Sequence, residues 1–505
     1  MLAAEGETVL YISSHGPFEK GKDIITRAPN GEIRAYQLKA NDVGLAEWRA
    51  IYGEITNLVE LAIEHPSIGK VTKFTPYLVT NGELTDPVLE QVRVANVSWE
   101  GRGISNELRV VQKGELLDRF HSSHGAYLPR ELSDFRTFLE LLLRDGAFVA
   151  DKPKAAQLLE GILPSVAKKT PGTLDIGRAA ASAVLLTGYI SRSAQSAENH
   201  WTVFEYWVIA ASYILRLAED YEVPEKYWSP SFELCELSAE RALESLIADC
   251  EANPHLVQGN PLVDGSVYGA RVTVLTGLLA ASAVRKRTLR LDSTDNESIL
   301  SFILKHLRNA NMWGESAVPY FAMVALELHC RCRPAIGESL LIQLVREITA
   351  QNGQAAKGRG VPNVYYSPEQ AIRLSSGLDF LNDESFVGHS YCVETLVDIL
   401  ARRWRRQAIA SMWFSITRMS LATYVPASHA EWYRWQSSDG ALESNLAREP
   451  QSWAELREAA ESVNFQGLPP TIVARPQFAT WFMLVYPQRF SRQLMKLIET
   501  AALSN

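Results

Sequence analysis

GKDIITRAPNGEIRAYQLK, residues 21–39, reads as two short strands around a tight turn. Within it, Pro29 presets φ, Asn30 tolerates the next turn position, and Gly31 supplies the left-handed one. Those are the requirements of a type I turn closed by a glycine bulge. A three-residue loop of this kind sets Ala28 opposite Glu32, Arg27 opposite Ile33, Ile25 opposite Ala35, and Asp23 opposite Gln37. Lys39 then lies diagonally on the same face, because strand side chains alternate with period two. A two-residue loop at Asn30-Gly31 would instead set Asp23 opposite Leu38 and send Gln37 and Lys39 to the other face. The turn chemistry favours the register that gathers the three polar side chains.

Such a cluster has a specific chemistry. A carboxylate and an amide oxygen can hold a hard cation such as Mg2+, which takes oxygen ligands. The cation polarises a phosphoryl oxygen and lowers the pKa of a bound water. A lysine beside it can orient that water or stabilise developing charge. The ordinary alternative is an exposed hairpin with polar residues at its open end.

Working outward, TVLYIS at 8–13 can add another strand. After Lys39, Leu45, Trp48, Ile51, Ile55, Leu58 and Leu61 recur at three- and four-residue steps, the period of an amphipathic helix. KFTPYLVTNGELTDPVLEQV at 73–92 then gives a strand, a turn at Asn81-Gly82 and a helix. LRVVQKGELLDRF at 108–120 gives a strand and a short helix.

This segment resembles the PD-(D/E)XK restriction-endonuclease-like superfamily, and within it the Mrr-like branch. The residues that carry the resemblance are Asp23 at the start of one strand, Gln37-Leu38-Lys39 on the next, and LVTNGELTD at 78–86 after the intervening helix. It covers about residues 7–120. By resemblance, Asp23 and Gln37 ligate Mg2+ or Mn2+, the backbone carbonyl of Leu38 is a further ligand, and Lys39 is catalytic. Members of the family usually carry an additional Glu on a helix ahead of the first strand. Here MLAAEGE precedes it, which offers Glu5 or Glu7 for that role.

The whole chain has 505 residues, enough for more than one domain. Its 47% hydrophobic and 21% charged content is that of a globular protein. The formal net charge of −8 excludes a global basic footprint for polyanions. Five scattered cysteines argue against a disulfide framework and for a reducing cytoplasm. AAASAVLLTGYI at 179–190 and VTVLTGLLAASAV at 272–284 are too short for membrane spans and read as core helices. The acidic MLAAEGETVLYISS lacks the basic start of a signal peptide.

The chain changes character near residue 128, at HSSHGAYLPRELSD with its Gly125 and Pro129. The expected organisation is therefore an α+β domain at 1–128, a mixed sheet flanked by helices, followed by a large all-α region at 129–505 as one body or two helical subdomains. Within the latter, Trp201, Phe204, Trp207 and Leu215 form an apolar stripe on one helix.

Several motifs there allow two readings. ARRWRRQ at 401–407 could contact phosphates through Arg402, Arg403, Arg405 and Arg406 and stack a base on Trp404. Otherwise it is a solvated helix face with the tryptophan packed inward. His389 and Cys392 in HSYC sit one helical turn apart, and HCRC at 329–332 lacks further zinc ligands at suitable spacing. KGRGVPNVYYSP at 357–368 is a connector by composition that could touch a ligand.

The resemblance implies a metal-dependent DNA endonuclease, the effector of a bacterial anti-phage defence system, whose helical region controls or targets cleavage. A partner protein or a homo-oligomer is expected by the same analogy, and no membrane. The alternative is a catalytically degenerate module within a helical scaffold or sensor that assembles with partner proteins.

Overall fold

The computed structural model describes residues 2, 5, 7–12, 21–65, 69–123, 132–163, 171–252, 261–291, 296–353, 359–375, 386–435, 441–446 and 452–503. The chain divides into two compact units, Met1–Arg130 and Glu131–Asn505. Gly125 and Pro129 lie outside the described residues.

The first unit is built on the hairpin. Gly31 takes a φ of +88°, which only glycine adopts without strain, and donates its N–H to the Ala28 carbonyl at 2.8 Å. Ala28 donates to the Glu32 carbonyl at 2.8 Å. The strands β2 (Ile24–Arg27) and β3 (Ile33–Lys39) pair with Arg27 opposite Ile33, Ile25 opposite Ala35 and Ile24 opposite Tyr36. β1 (Thr8–Ile12) joins β2 antiparallel.

Beyond β3 the chain forms α1 (Leu45–Glu60), where Glu47 accepts the Gly44 N–H at 3.1 Å. The helix stops short of Leu61. A small hairpin follows, β4 (Ile63–His65) against β5 (Gly69–Val71), which the helical spacing through Leu61 had concealed. β6 (Thr75–Thr80) then pairs parallel to β3, α2 (Asp86–Gly101) follows, and β7 (Arg109–Val111) pairs parallel to β6 before α3 (Lys113–Ser123). The result is a mixed five-stranded sheet of order β1-β2-β3-β6-β7.

Its two faces pack differently. Ile25, Ala35 and Leu78 meet Trp48, Ile55, Leu58 and Val59 of α1 and Val88, Val92 and Trp99 of α2. Full burial of such side chains stabilises by roughly 1.5–3 kcal/mol each. On the other face Tyr36 stacks on Tyr77 at 5.0 Å, beside Val111 and Leu116.

The second unit is helical around His200–Tyr221. Every residue from Thr202 to Leu215 in that helix is buried, so Phe204, Trp207 and Leu215 of the predicted stripe lie in an enclosed segment, while Trp201 is half-buried. Phe204 meets Trp481 edge-on at 5.6 Å. The segment Gly265–Thr288 is the one described helix long and apolar enough to cross a membrane, and 83% of its apolar window is buried among its neighbours.

This unit also holds a small sheet that periodicity did not reveal. β8 (His389–Ser390), β9 (Ser420–Val425) and β10 (Ala441–Leu446) pair in the order β10-β9-β8. β9 is buried along one face, at Ser420, Ala422 and Tyr424, and its sequence SLATYV puts polar and apolar residues on both faces, so it lacks the alternation that marks a strand in sequence.

Candidate functional site

Asp23 closes the open end of the hairpin ladder. Its N–H reaches the Tyr36 carbonyl at 2.8 Å, and its carboxylate Oδ2 accepts the Leu38 N–H at 2.6 Å. The ladder keeps the expected register as far as Ile24 opposite Tyr36, and Asp23 lies one residue beyond its end. Gln37 and Lys39 lie, with Ala35, on the sheet face covered by α1, and the Asp23 carboxylate meets the same strand between them, at the Leu38 N–H. Leu38 turns its 45% exposed side chain the other way.

Each member has a distinct environment. Lys22, 2% exposed, anchors the approach by donating to the Asn57 carbonyl of α1 at 3.2 Å and covering the Phe74 ring. Asp23 is half-buried, and its second carboxylate oxygen has no protein partner among the described residues. Gln37 is 5% exposed, yet its Oε1 is buried without a hydrogen-bond partner. An orphaned buried acceptor costs about 1–3 kcal/mol, and a cation or a donor would relieve it. Lys39 is half-buried, and its ammonium is held by Glu54 of α1 at 2.5 Å.

Glu54 went unnoticed in the sequence. The available signal was an acid three residues after Ile51 and four before Leu58, on the flank of the apolar stripe. It lends this face a carboxylate that Glu7 does not. Glu7 lies on the opposite face, accepting from Thr26 Oγ1, from Arg34 at 2.5 Å and from Tyr36 Oη at 3.0 Å. Glu5 pairs with Arg119 of α3 at 3.6 Å. Neither supplies the additional acid.

The TNG turn holds the far side of the site. Thr80 Oγ1 donates to the Asn41 carbonyl at 2.5 Å and accepts the Gly82 N–H at 3.1 Å. Asn81 Oδ1 accepts the Asn41 N–H at 2.6 Å. A Cβ on Gly82 would lie 2.4 Å from the Asn41 carbonyl oxygen, so only glycine allows this approach. The turn thus fixes the chain leaving Lys39, at the carboxyl ends of the parallel strands β3 and β6, where open sheets bind ligands.

The donor set fits a hard divalent cation in kind: a hairpin carboxylate with one oxygen unspent, and an amide oxygen with no partner. Asp23 and Gln37 would hold it. Among the described residues, no three His, Cys, Asp or Glu side chains gather into a group suited to a metal ion. The pair therefore depends on Gln37 and on main-chain or solvent oxygens to complete a coordination shell.

The other motifs lie in the helical unit. The helix Val393–Arg402 ends inside ARRWRRQ, and a new one starts at Arg406. Trp404 sits in the break with a φ of +61° and is 63% exposed, so it does not pack inward. Arg457 covers its ring at 3.7 Å. Arg402 pairs with Asp398 and Glu499, Arg403 with Glu499, and Arg405 with Glu338. Those three guanidiniums are committed to carboxylates, which leaves Arg406 as the remaining cation of the motif. His389 lies in β8 and Cys392 precedes the next helix, so HSYC is not one helical turn. All five cysteines are free thiols.

Compared with known proteins, the chain matches no family model, no curated protein and no solved structure.

Proposed function

We propose that the first unit is a metal-dependent DNA endonuclease module of the PD-(D/E)XK type, and that the helical unit controls or targets it as an effector of anti-phage defence in the bacterial cytoplasm. The observation that carries this reading is the buried, unpartnered Oε1 of Gln37 opposite a carboxylate with a free oxygen. Folding away an amide oxygen without a partner is unfavourable unless a ligand uses it. When bound, Mg2+ or Mn2+ would supply Lewis acidity toward a phosphoryl oxygen. Asp23 would bind and orient through its unspent oxygen, with the Leu38 N–H fixing the other. Lys39, released from or shared with Glu54, would place positive charge at the scissile phosphate.

Purified full-length protein incubated with plasmid DNA, with and without Mg2+ or Mn2+, tests this beside Lys39→Ala. Loss of a charge at the phosphate is expected to slow cleavage by about a hundredfold or more. Equal cutting by parent and variant would overturn the assignment.

The alternative, a degenerate module in a helical scaffold or sensor that assembles with a partner protein or with itself, draws on the Lys39–Glu54 ion pair. A lysine already neutralised by a helix carboxylate can be structural. Absence of cleavage under every metal condition, with assembly lost in Asp23→Asn, would favour it.

A further inference from the structure

The helical unit contains a cavity of about 540 Å³, within the range of small-molecule sites. Its walls include Trp201, Trp313, Tyr320, Tyr365, Tyr366 and Trp435. Two of these come from KGRGVPNVYYSP, the segment that composition reads as a plain connector. Its residues from Val361 to Tyr366 are pinned in place. The Val361 N–H reaches Asn352 Oδ1 at 2.6 Å, and the Glu315 N–H reaches the Pro362 carbonyl at 2.8 Å. Ser316 joins Trp313 to the Tyr366 carbonyl, with both hydrogen bonds at 2.9 Å.

The polar lining mixes donors with acceptors: Lys152 and Arg144 stand beside Asp151, Glu369 and Gln370. Lys152, 8% exposed, gives one hydrogen bond, to the buried Glu205 at 2.7 Å, and lies over the Trp435 ring at 5.1 Å. An ammonium has three protons to donate. The indole N–H of Trp435, a residue 8% exposed, has no partner among the described residues. Arg144 adds a second positive charge, beside Asp151.

These features narrow the ligand. A hydrocarbon would leave the buried donors desolvated and unmatched, at about 1–3 kcal/mol each. A quaternary ammonium, the usual guest of an aromatic cage, has no lone pair to accept from Lys152 or the Trp435 indole. A flat ring whose edge carries both acceptors and donors matches the aromatic walls and the mixed polar lining. We infer that this cavity binds a purine or pyrimidine base, presented as a nucleoside or nucleotide, stacked among the aromatic walls and accepting from Lys152 and the Trp435 indole.

The inference is independent of the nuclease reading, since binding is measured without cleavage. The test is calorimetric titration of the full chain, free of divalent metal, with adenosine, guanosine, cytidine and uridine and with their triphosphates. At least one is expected to bind saturably below millimolar concentration. A triphosphate that binds no better than its nucleoside would place the affinity in the base; tighter binding would add the cationic rim. Trp435→Phe keeps the ring and removes the N–H, and should weaken binding by about tenfold. Tyr365→Ala, at a half-buried loop position, should weaken it similarly, with both variants keeping the parent's melting transition. Asp23→Asn should leave it unchanged. No binding by any of the eight compounds at millimolar concentration overturns the proposal, as does binding indifferent to both cavity variants.

Discussion

The N-terminal sheet treats two carboxylates in opposite ways. On one face, Glu7 is 4% exposed and accepts from three side chains, Thr26, Arg34 and Tyr36. At the open end of the hairpin, Asp23 accepts one main-chain N–H, and the Oε1 of Gln37 on the facing strand accepts nothing. The first carboxylate is saturated and serves the fold. The second lies in a group that the protein alone does not complete. Acidity alone does not separate the two; burial and the count of unmet oxygens do.

The largest expected effect breaks that comparison at Asp23. Asp23→Asn keeps an acceptor for the Leu38 N–H and removes the charge. DNA cleavage should fall by about a thousandfold, some 4 kcal/mol in barrier, while the melting temperature stays within about 2 °C. A large loss of melting temperature with cleavage retained would make Asp23 the structural acid after all.

A third buried carboxylate sharpens the contrast. Glu315 in the helical unit accepts from Ser390 Oγ and the Tyr391 N–H but has no cation, and burial raises its pKa to about 7. The native state therefore holds a proton there that the unfolded chain releases near 4.5. With more protons bound in the native state, the contribution of Glu315 to stability falls as pH rises from about 4.5 to about 7 and levels off above. Glu315→Gln abolishes that titration. Relative to the parent, the variant should gain on the order of 3 kcal/mol between the bottom and top of this window, read from denaturant unfolding at each pH. A difference that does not vary with pH would refute the shift.

Glu7→Gln tests the saturated side. Arg34 loses one of its two carboxylates but retains Glu32 at 2.9 Å, so the first unit should lose about 2 kcal/mol of stability. Cleavage measured well below the melting temperature should persist, and its selective loss would place Glu7 in the site.

The smallest effect is expected at Gln37. Gln37→Glu keeps the orphan oxygen and adds a charge. Half-saturating Mg2+ should drop by a few-fold, up to about tenfold, with activity retained. Weaker metal dependence would argue that Gln37 does not face the cation.

Much of the hairpin was legible because its determinants are local. Pro29, Asn30 and Gly31 dictate the turn, the turn sets the register, and the register brings Asp23 to the strand that carries Gln37 and Lys39. The apolar spacing from Leu45 to Leu58 announced α1 for the same reason. What escaped depended on partners distant in sequence. Glu54 looks like any helix-flank acid until α1 packs over β3. The arginines of ARRWRRQ look free until Glu338 and Glu499 arrive from other helices. β9 hides because Ser420 and Ala422 on its buried face and Leu421 on the other erase the alternation.

The sequence by itself determined backbone conformation where one or two residues restrict φ and ψ, and it determined which segments are amphipathic. Only the tertiary structure decided which polar atoms would be satisfied. Glu7 and Asp23 are equally acidic in the sequence, and Tyr365 and Trp435 are equally aromatic wherever they fall. A hydrogen bond or an ion pair is a property of two groups brought within about 3 Å, and that distance exists only once the chain has packed.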